Sequence, residues 1–583
     1  MRSAIYEKKE NPFNVSAIPP MRIIQLRTLT KQHYLFSMLT GISIFLFFFE
    51  LGGRSFEVRD VRRFAEIAQE MLQNGNWLIP YKHGGIYMNK PPMFMWLIAL
   101  FSSIGQHVTP LTARLPGAIA GLASTLITFS FVKKFSNKRT AFIAAVVLAT
   151  TQRYFWYGRT SLPDMLFTTF IMLALYSFYV GYKQKKTFYI GVHLFTFLAA
   201  LTKGPLAVIF IFGIIAVFLA LQRDIRAMKE MKWRWGIILF VTITGLCFAF
   251  CLKVGFEPFI ATIKREFLTR VNNPINHGEP FYYYFVTIWT DFLPWSLFIP
   301  FAVIFAYKKW REGDDCITFF SCWMILIFVF LCTTKAKHPR YMLPLYPAFS
   351  VILASLIDDT LKRSVMSFSW LQVSVRWIIF VMAGAGAILL AVAPAYLFTY
   401  SWIGIVISLI TLIILAGVFL SLRWKTGFAN AGFTMCMLVS IIGWGIYIHC
   451  LTVHSKEVTF GTKLTSVIKK EMGGLDGCDI RGYKLGESLW TVINLSLNTN
   501  ISPIKNIPEL KTFLNTSEHL LPVCIIEKNT FLDIKNSLTD TTLHTLDICT
   551  KKRKVTLVFK RERQTNPASF HEWQSREEEG NHR

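Results

Sequence analysis

Residues 111–157 read LTARLPGAIAGLASTLITFSFVKKFSNKRTAFIAAVVLATTQRYFWY, and this stretch carries the main signal for the fold class. Two apolar runs, 111–132 and 140–157, flank the short basic loop KKFSNKR. Apolar runs of roughly twenty residues are long enough to cross a bilayer as helices. Short loops rich in Lys and Arg are typical of the cytoplasmic side of a membrane. The stretch therefore predicts two transmembrane helices joined on the cytoplasmic side.

The same pattern recurs through most of the chain. The 583 residues are 53% hydrophobic and only 17% charged, whereas soluble chains carry more charge. We predict an all-α polytopic membrane protein with about thirteen transmembrane helices. A small α/β domain is expected at the C-terminal end. The predicted spans are 33–51, 111–132, 140–157, 165–182, 188–202, 205–221, 236–254, 285–306, 316–333, 341–357, 375–397, 401–421 and 430–451.

Loop charge predicts the orientation of these helices. One further apolar run, 92–107, is ambiguous, and if it crossed the membrane the later basic loops would lie outside, against the usual bias. We therefore predict that 92–107 is a re-entrant or interfacial helix, with the N-terminus inside and the C-terminal region outside. The basic loops are Lys133–Arg139, Lys183–Lys186, Arg223–Arg234, Lys308–Arg311, Lys362–Arg363 and Arg423–Lys425.

This topology divides the chain and leaves two long loops, 53–91 and 255–284, on the outer face. The first apolar run is followed by no small-residue cleavage site, so we expect a retained anchor rather than a signal peptide. In the C-terminal region, Val523–Ile526 and Val555–Phe559 resemble strands, and Thr462–Met472 has a helical pattern. The expected parts are a cytoplasmic segment at 1–32, a membrane domain at 33–452, an external α/β domain at 453–563 and a disordered tail at 564–583.

The net charge of +27 is explained by the membrane rather than by nucleic acid. Cytoplasmic loops collect Lys and Arg and meet anionic headgroups, and the sequence has no compact basic domain. Of the ten cysteines, only Cys478, Cys524 and Cys549 lie in the polar C-terminal region, and no CxxC spacing occurs. We therefore expect no zinc or redox motif, and at most one disulfide in that region.

Two acidic residues stand at the outer mouths of predicted helices. Asp60 lies at the start of the pattern RDVRRFAEIAQEML, which is typical of an amphipathic helix on the membrane surface, and Asp164 opens the span 165–182. Each could simply cap a helix N-terminus, where a carboxylate meets exposed N–H groups and the helix dipole. The predicted topology places both on the outer side, however, and ionisable residues at such depth are usually functional. Two carboxylates at one site suit glycosyl transfer.

Basic residues also occur on the predicted outer side, against the charge bias. Cationic side chains with a Tyr hydroxyl suit a phosphate or diphosphate, which Arg can bind through two parallel hydrogen bonds. The alternative is contact with lipid headgroups of the outer leaflet. His277 and Glu279 are weak candidates for a divalent metal site, because two ligands do not make one. The basic candidates are Lys90, Lys203, Arg270, Lys335, Lys337, His338 and Arg340, with Tyr341 beside the last.

These residues, in this order, resemble the dolichyl-phosphate-mannose-protein mannosyltransferase superfamily of the GT-C fold. Within it they look closest to the bacterial 4-amino-4-deoxy-L-arabinose (aminoarabinose) lipid A transferases. The sequence departs from that pattern at Asn89, where a Glu commonly precedes the Lys-Pro step, and at Val61 and Phe64. The matching pieces are Asp60, Arg63 and Ala65-Glu66-Ile67, Lys90-Pro91, Asp164, Leu201-Thr202-Lys203-Gly204, His277-x-x-Pro280-Phe281-x-Tyr283-Tyr284, and Lys335 through Pro347.

The resemblance implies a glycosyltransferase in a bacterial inner membrane, with its active site and C-terminal domain in the periplasm. It implies a polyprenyl-phosphate-sugar donor such as undecaprenyl phosphate-aminoarabinose, an acceptor such as lipid A, and membrane lipids as surroundings. No organic cofactor and no nucleic acid are expected, and a divalent metal stays open. By this likeness Asp60 and Asp164 are catalytic, Lys90, Lys203, Arg270, Lys335, Arg340 and Tyr341 bind phosphate, and Arg63, Glu66, His277 and Tyr283 complete the site.

Other functions remain open at this point. An enzyme of the same fold could transfer mannose or another hexose to protein Ser or Thr, or to another envelope glycan. A lipid or solute transporter is a weaker alternative, because transporters tend to show paired halves with broken helices near the midplane, whereas no repeated halves are visible here. An inactive scaffold leaves the outer charged residues unexplained.

Overall fold

The computed structural model gives helix at almost every predicted apolar run. For some ends of helices and strands, including residues 59–61, only the backbone is described. The described residues are 20–54, 59–82, 85–264, 279–362, 370–397, 410–411, 413–421, 423, 428–455, 460–472, 478–486, 489–490, 493–494, 497, 501–515, 521–538, 543–550 and 553–560. The tail at 564–583 and much of the loop 255–284 therefore lie outside the described part.

The helices form a bundle around one large apolar core. The first of them begins at Pro20, earlier than the apolar run at 33. The membrane-domain helices are α1 (Pro20–Phe48), α2 (Arg59–Asn74), α3 (Met93–Ser102), α4 (Pro110–Phe135), α5 (Lys138–Thr150), α6 (Gln152–Tyr157), α7 (Asp164–Lys183), α8 (Tyr189–Lys203), α9 (Leu206–Leu221), α10 (Trp233–Val254), α11 (Phe256–Ile263), α12 (Tyr283–Asp291), α13 (Ile299–Arg311), α14 (Asp315–Thr333), α15 (Tyr346–Lys362), α16 (Trp370–Leu397) and α17 (Phe428–Ser455). A small hairpin, β1 (Tyr81–Lys82) and β2 (Gly85–Ile86), precedes α3.

The hairpin predicted from 111–157 is present, and its sequence explains where its helices start. Thr109 caps α4 by accepting from the Thr112 amide at 3.1 Å, and Thr112 accepts in return from the Thr109 amide at 2.9 Å. Asn137 caps α5 by accepting from the amides of Arg139 and Thr140, both at 3.0 Å. Such caps satisfy backbone donors that have no partner inside the helix. The basic loop is thus a tight turn between two packed helices.

Two predicted spans, 140–157 and 285–306, are broken rather than continuous. The first changes direction at Thr151, between α5 and α6, and the second is interrupted at Pro294 between α12 and α13. Proline has no N–H to donate and blocks helix continuation. The breaks lie against each other, because the Gln152 amide donates to the Leu293 carbonyl at 2.8 Å. Neighbouring segments therefore satisfy the backbone groups that the breaks release, as a bilayer requires.

Seven of the described helical segments are long and apolar enough to cross a membrane. The ten residues of α3, in the ambiguous run 92–107, extend about 15 Å, shorter than a hydrocarbon core of about 30 Å. This length agrees with a helix that does not cross by itself, while the total of about thirteen spans stays a prediction. The seven segments are Pro110–Phe135, Asp164–Lys183, Trp233–Val254, Asp315–Thr333, Pro339–Lys362, Trp370–Val392 and Asn430–Thr452.

Helix α2 forms as predicted, but it does not lie open on a surface. Phe64 through Met71 are all buried, and α2 packs against α3 and the hairpin. Both its apolar face and its polar face are covered, since Glu66 and Glu70 are each 1% exposed. The Gln69 side-chain oxygen accepts from the Val108 amide at 2.7 Å. Helix α2 is therefore covered by protein on both faces, while its place at the membrane surface stays a prediction.

The C-terminal region forms the expected small α/β unit. The strands described there are β3 (Cys478–Tyr483), β4 (Ser502–Ile504), β5 (Leu521–Glu527), β6 (Leu543–Thr550) and β7 (Arg553–Lys560). They are ordered β4-β3-β5-β7-β6, parallel across β4, β3 and β5 and antiparallel through β7 and β6. Both predicted strand-like runs and the predicted helix are present. Cys478 and Cys524 are free thiols. The helices are α18 (Phe460–Met472), α19 (Ile507–Asn515) and α20 (Lys528–Ile534).

Candidate functional site

The first feature of the site is an ion pair between two helix ends. The Lys203 ammonium lies 2.5 Å from the Asp164 carboxylate, and the two side chains are only 11% and 4% exposed. Asp164 is the first residue of α7 and Lys203 is the last residue of α8, so the packing of these antiparallel neighbours brings them together. Pro163 occupies the N-cap position of α7. The reading of Asp164 as a simple helix cap is therefore wrong, because its carboxylate contacts Lys203.

Aromatic and cationic side chains surround this pair. The Lys203 ammonium lies 4.8 Å from the ring centre of Tyr341 and 5.2 Å from that of Phe167. The Arg340 guanidinium lies 5.9 Å from the same Tyr341 ring and interacts electrostatically with Asp164. Ring faces attract cations, and this attraction strengthens where water is excluded. The structure thus brings together four of the predicted site residues, Asp164, Lys203, Arg340 and Tyr341.

Two lysines in the loop before Arg340, Lys335 and Lys337, have different surroundings. Lys337 is buried, and its ammonium donates to the carbonyls of Cys332, at 3.0 Å, and of Thr334, at the C-terminal end of α14. A cation at this end satisfies open carbonyls and the helix dipole. Burial lowers the pKa of the Lys337 ammonium. Lys337 is therefore a structural cap rather than a phosphate ligand, while Lys335 is exposed in the same loop.

His338 fixes the backbone that presents Arg340. Its ring nitrogen accepts from the Arg340 amide at 3.4 Å, which caps the 3₁₀ turn Pro339–Leu345. The Tyr284 hydroxyl accepts from the His338 amide at 3.1 Å and donates to its carbonyl at 3.3 Å. The start of α12 is thereby tied to the loop that carries Arg340. Tyr283, a predicted site residue, packs edge-on against Tyr284 at a ring distance of 5.1 Å.

A second charged group adjoins this one and was not found in the sequence. The Arg153 Nε donates to Asp291 at 2.7 Å, one of its terminal nitrogens contacts the same oxygen, and the Tyr346 hydroxyl donates to the other oxygen at 3.3 Å. Asp291 is fully buried, while the Arg153 side chain keeps 27% exposure. The only signal in the sequence was a charged residue inside each of two apolar runs, 140–157 and 285–306.

Tyr157 lies between the two charged groups. Arg153 is 6.0 Å from the centre of its ring. Its hydroxyl interacts electrostatically with Arg153 and Arg340, and also with Asp164 and Asp291. Both groups therefore belong to one polar region at the ends of α6, α7 and α8.

The predicted residues of the first external loop are placed less completely. Lys90 is half-buried just before α3, and α3 packs against α8, the helix that ends at Lys203. In α2, Arg63 is half-buried and Glu66 is buried. The assignments of these residues stay predictions.

Three predicted site residues fall outside the described part of the chain. They are Arg270 and His277, in the loop before α12, and Asp60, whose backbone begins α2 but whose side chain is not described. Glu279, the other weak metal candidate, is exposed. Among the described residues, no group of three or more His, Cys, Asp or Glu side chains could hold a metal ion. The proposed metal site is thus left open.

A different set of charges lies at the far ends of the helices. Lys183, at the other end of α7 from Asp164, pairs with Asp315 at 2.5 Å. Those twenty residues of α7 span about 30 Å, the thickness of a hydrocarbon core. Arg139 pairs with Asp358 at 3.3 Å, and Lys186 with Glu230 at 2.6 Å. Ion pairs therefore connect the basic loops that are predicted to be cytoplasmic, at one end of the bundle. The candidate site lies at the other end.

The helical bundle, with this polar region at one end, has the architecture of a polytopic membrane protein. Residues 89–248 match the family model described as dolichyl-phosphate-mannose-protein mannosyltransferase. That range contains Lys90, Asp164 and Lys203. The chain resembles the crystal structure of ArnT from Cupriavidus metallidurans bound to undecaprenyl phosphate, with a TM-score of 0.70 over 90% of this chain and 98% of that one. At 16% identity, this likeness shows the fold alone.

Curated relatives point to the same group. The chain is 26% identical over 332 residues to an undecaprenyl phosphate-alpha-4-amino-4-deoxy-L-arabinose arabinosyl transferase of Shewanella sediminis, covering 55% of this chain and 59% of that protein. It is 29% identical over 342 residues to an uncharacterized protein of Aquifex aeolicus, covering 58% and 66%. The matches thus span about three-fifths of the relatives' length. The expected resemblance to the aminoarabinose transferases, and with it the GT-C fold, is confirmed.

Proposed function

We propose that this protein is an integral-membrane glycosyltransferase that moves a sugar from a polyprenyl-phosphate donor to an acceptor at the periplasmic face. The observation that carries the proposal is the buried Asp164–Lys203 pair beside Arg340 and Tyr341, at one end of an ArnT-like bundle. The name of the Shewanella sediminis relative favours aminoarabinose as the sugar. The resemblance of the sequence to the aminoarabinose lipid A transferases favours lipid A as the acceptor.

The chemistry of such a transfer explains the need for cations. An acceptor oxygen attacks the sugar carbon that bears the phosphate, and the bond between that carbon and the phosphate oxygen breaks. The electron pair stays with the polyprenyl phosphate, which gains a negative charge as it leaves. Cationic donors placed where this charge develops stabilise the transition state. The groups proposed for this task are Arg340 and Lys203. The sequence resemblance adds Lys90, Lys335 and Arg270.

The geometry favours different roles for the two proposed catalytic carboxylates. Asp164 is held by the Lys203 ammonium at 2.5 Å, an arrangement suited to orienting Lys203 and the sugar, including the amine of an aminosugar. Asp60 is the remaining candidate for a base when the acceptor is a hydroxyl group. A phosphate acceptor, with a second pKa of about 6, is already mostly anionic at neutral pH and can attack without a base.

A second candidate function is transfer of a hexose to protein Ser or Thr, or to another envelope glycan. The match of residues 89–248 to the mannosyltransferase family model favours it. A hydroxyl acceptor would need a base, so activity of Asp60→Asn would fall strongly in this case. With a phosphate acceptor the same variant would lose less transfer activity. The pH dependence of the remaining activity would match the ionisation of the acceptor phosphate.

The deciding experiment is mass spectrometry of lipid A from cells with the gene, without it, and with Asp164→Asn in its place. The proposal expects a pentosamine-sized group to disappear from lipid A in both the deletion and the variant. Lys186→Gln is the matched control and should leave lipid A unchanged, because the ion pair of Lys186 lies at the far end of the bundle. Unmodified lipid A in all strains would overturn the lipid A assignment and move the search to protein and glycan acceptors.

A further inference from the structure

The joint between the two broken helices holds a charged side chain that the proposed function has not used. Gln152 donates its amide to Leu293 at 2.8 Å, and Trp295 donates its indole N–H to the Thr150 hydroxyl at 2.9 Å. These contacts fix α6 against the segment that follows α12. Arg153 is the next residue after Gln152, so its position is set by backbone contacts on both sides of the joint.

Asp291 holds one edge of the Arg153 guanidinium. Nε and one terminal nitrogen both contact the same Asp291 oxygen, and Tyr346 donates to the other oxygen. The guanidinium carries N–H donors along more than one edge, so the remaining groups stay available for another anionic acceptor. Because Asp291 is fully buried and Arg153 keeps 27% exposure, the accessible part of the pair is the cation. Its orientation is fixed in advance, which reduces the entropy lost on binding.

The accessible side of Arg153 belongs to the site already described. Arg153 lies 6.0 Å from the Tyr157 ring, and the Tyr157 hydroxyl interacts electrostatically with Arg153, Arg340 and Asp164. Arg153, in α6, and Arg340, in the 3₁₀ turn Pro339–Leu345, thus both act on one tyrosine. The two carboxylates described in this region each have a basic partner, Lys203 for Asp164 and Arg153 for Asp291.

We propose that Arg153 is a binding residue for a substrate phosphate, positioned by Asp291 and acting together with Arg340. The inference rests on the proposed function, because it names a further contact for the phosphate chemistry of that same site. Two sources of phosphate fit: the polyprenyl phosphate of the donor, and a phosphate carried by the acceptor.

The test measures binding by the purified full-length chain in detergent, so that it requires neither the sugar nor turnover. Undecaprenyl phosphate is compared with undecaprenol, and lipid A with dephosphorylated lipid A. Arg153→Gln should weaken binding of one phosphorylated ligand about tenfold, the size expected for loss of a charge-assisted hydrogen bond. Its unphosphorylated counterpart should bind unchanged. Arg153→Lys keeps the charge and loses the planar guanidinium. Its affinity for the phosphorylated ligand should lie between those of the parent chain and Arg153→Gln.

Matched controls separate binding from folding. Arg139→Gln removes an arginine that also pairs with a buried carboxylate, that of Asp358, but at the opposite end of α5. It should leave the binding of all four ligands unchanged. The double variant Arg153→Met/Asp291→Asn leaves no buried carboxylate without a partner, so it keeps the comparison possible if Arg153→Gln does not fold. It should show the same loss of phosphate binding.

The outcomes are distinct. Weaker binding of undecaprenyl phosphate alone assigns Arg153 to the donor, and weaker binding of phosphorylated lipid A alone assigns it to the acceptor. Equal binding of both by the parent chain and the Arg153 variants overturns this inference and leaves the proposed function standing. A parent chain that binds neither phosphorylated ligand better than its unphosphorylated counterpart overturns the proposed function as well.

Discussion

At the scale of single residues, the Asp164–Lys203 pair is both a structural and a chemical element. Removing one partner leaves the other charge buried without compensation, a loss of about 3–5 kcal/mol of stability. We therefore expect Lys203→Met to lower the thermal midpoint of the purified chain strongly. Asp164→Asn/Lys203→Met removes both charges and should recover most of that stability while transfer activity stays absent. Recovery of activity with stability would show that the pair only supports the fold.

Lys337 gives the opposite case among neighbouring basic residues. Its ammonium donates to carbonyls at the end of α14, so Lys337→Met should cost about 1–3 kcal/mol of unfolding free energy. The binding of undecaprenyl phosphate should not change in the protein that remains folded. Thermal unfolding and ligand binding measured on the same sample check this. A variant that kept its stability but lost phosphate binding would return Lys337 to the site.

The contrast between Lys203 and Lys337 shows which parts of the candidate site could be predicted from the sequence. Asp164, Lys203, Arg340 and Tyr341 could be predicted because counting spans placed each of them at an outer helix end, where charge is unusual. The count could not tell that Lys337 turns back towards carbonyls while Arg340 turns towards Asp164, since side-chain direction depends on the local turn. Nor could it pair Arg153 with Asp291, because each stood alone in an apolar run and their contact needs both helix breaks.

At the scale of elements, the two broken helices depend on each other. Thr150 accepts from the Trp295 indole at 2.9 Å across the joint, whereas Thr151 only returns a bond to Val147 in its own helix. Thr150→Val should therefore leave the buried indole N–H of Trp295 without this acceptor. It should lower the free energy of unfolding by about 1–3 kcal/mol. Thr151→Val, at an equally buried neighbour, should cost less. Thermal unfolding of both variants decides the point, and equal losses would show that the joint contributes no stability of its own.

The C-terminal sheet contains an element whose stability should depend on pH. Burial acts to raise the pKa of Asp547 in β6, but hydrogen bonds from Lys528 and Thr556, each at 2.6 Å, hold it below the usual value. A carboxyl whose pKa is lowered by folding stabilises the fold above its unfolded pKa of about 3.9, and this contribution is lost as the pH falls further.

Asp547→Asn should accordingly lower the free energy of unfolding by up to about 1 kcal/mol near neutral pH. The loss is small because the Lys528–Asp547 pair is partly exposed and screened by water. The loss in unfolding free energy caused by this variant should be smaller below about pH 4. Protease resistance of the C-terminal region, followed in the full-length chain at several pH values, measures this. Asp533→Asn, at an exposed position of α20, is the control and should behave like the parent at every pH. A constant difference between Asp547→Asn and the parent across the range would contradict the assignment.

Periodicity and charge were sufficient to predict the elements, but not their interruptions. Apolar runs of spanning length can form only a few structures in a bilayer, so helices were predicted correctly. The breaks at Thr151 and Pro294 depend on partners distant in sequence, Leu293 and Trp295, which accept and donate the bonds that a continuous helix would make itself. The burial of α2 likewise depends on segments outside it, α3 and the hairpin, which pack against it.

At the scale of the whole molecule, the separation of charges between the two ends of the bundle predicts which loops face which side. If α3 does not cross the membrane, the segments before and after it lie on the same side, and α4 carries the chain to the other. Exposed residues mark each position: Asn74 before α3, Gln106 after it, and Ser136 after α4. Their positions allow single cysteines to report the topology.

We expect Asn74→Cys and Gln106→Cys to react with a membrane-impermeant maleimide in intact spheroplasts, and Ser136→Cys to react only after the membrane is permeabilised. The parent chain, with its native cysteines, sets the background. Labelling of Asn74→Cys and Gln106→Cys from opposite sides would mean that α3 completes a crossing, which would invert every later loop. Asp164, Lys203 and Arg340 would then face the cytoplasm, where the site could not act on a periplasmic acceptor. The same labels therefore test the orientation on which the choice of lipid A as acceptor depends.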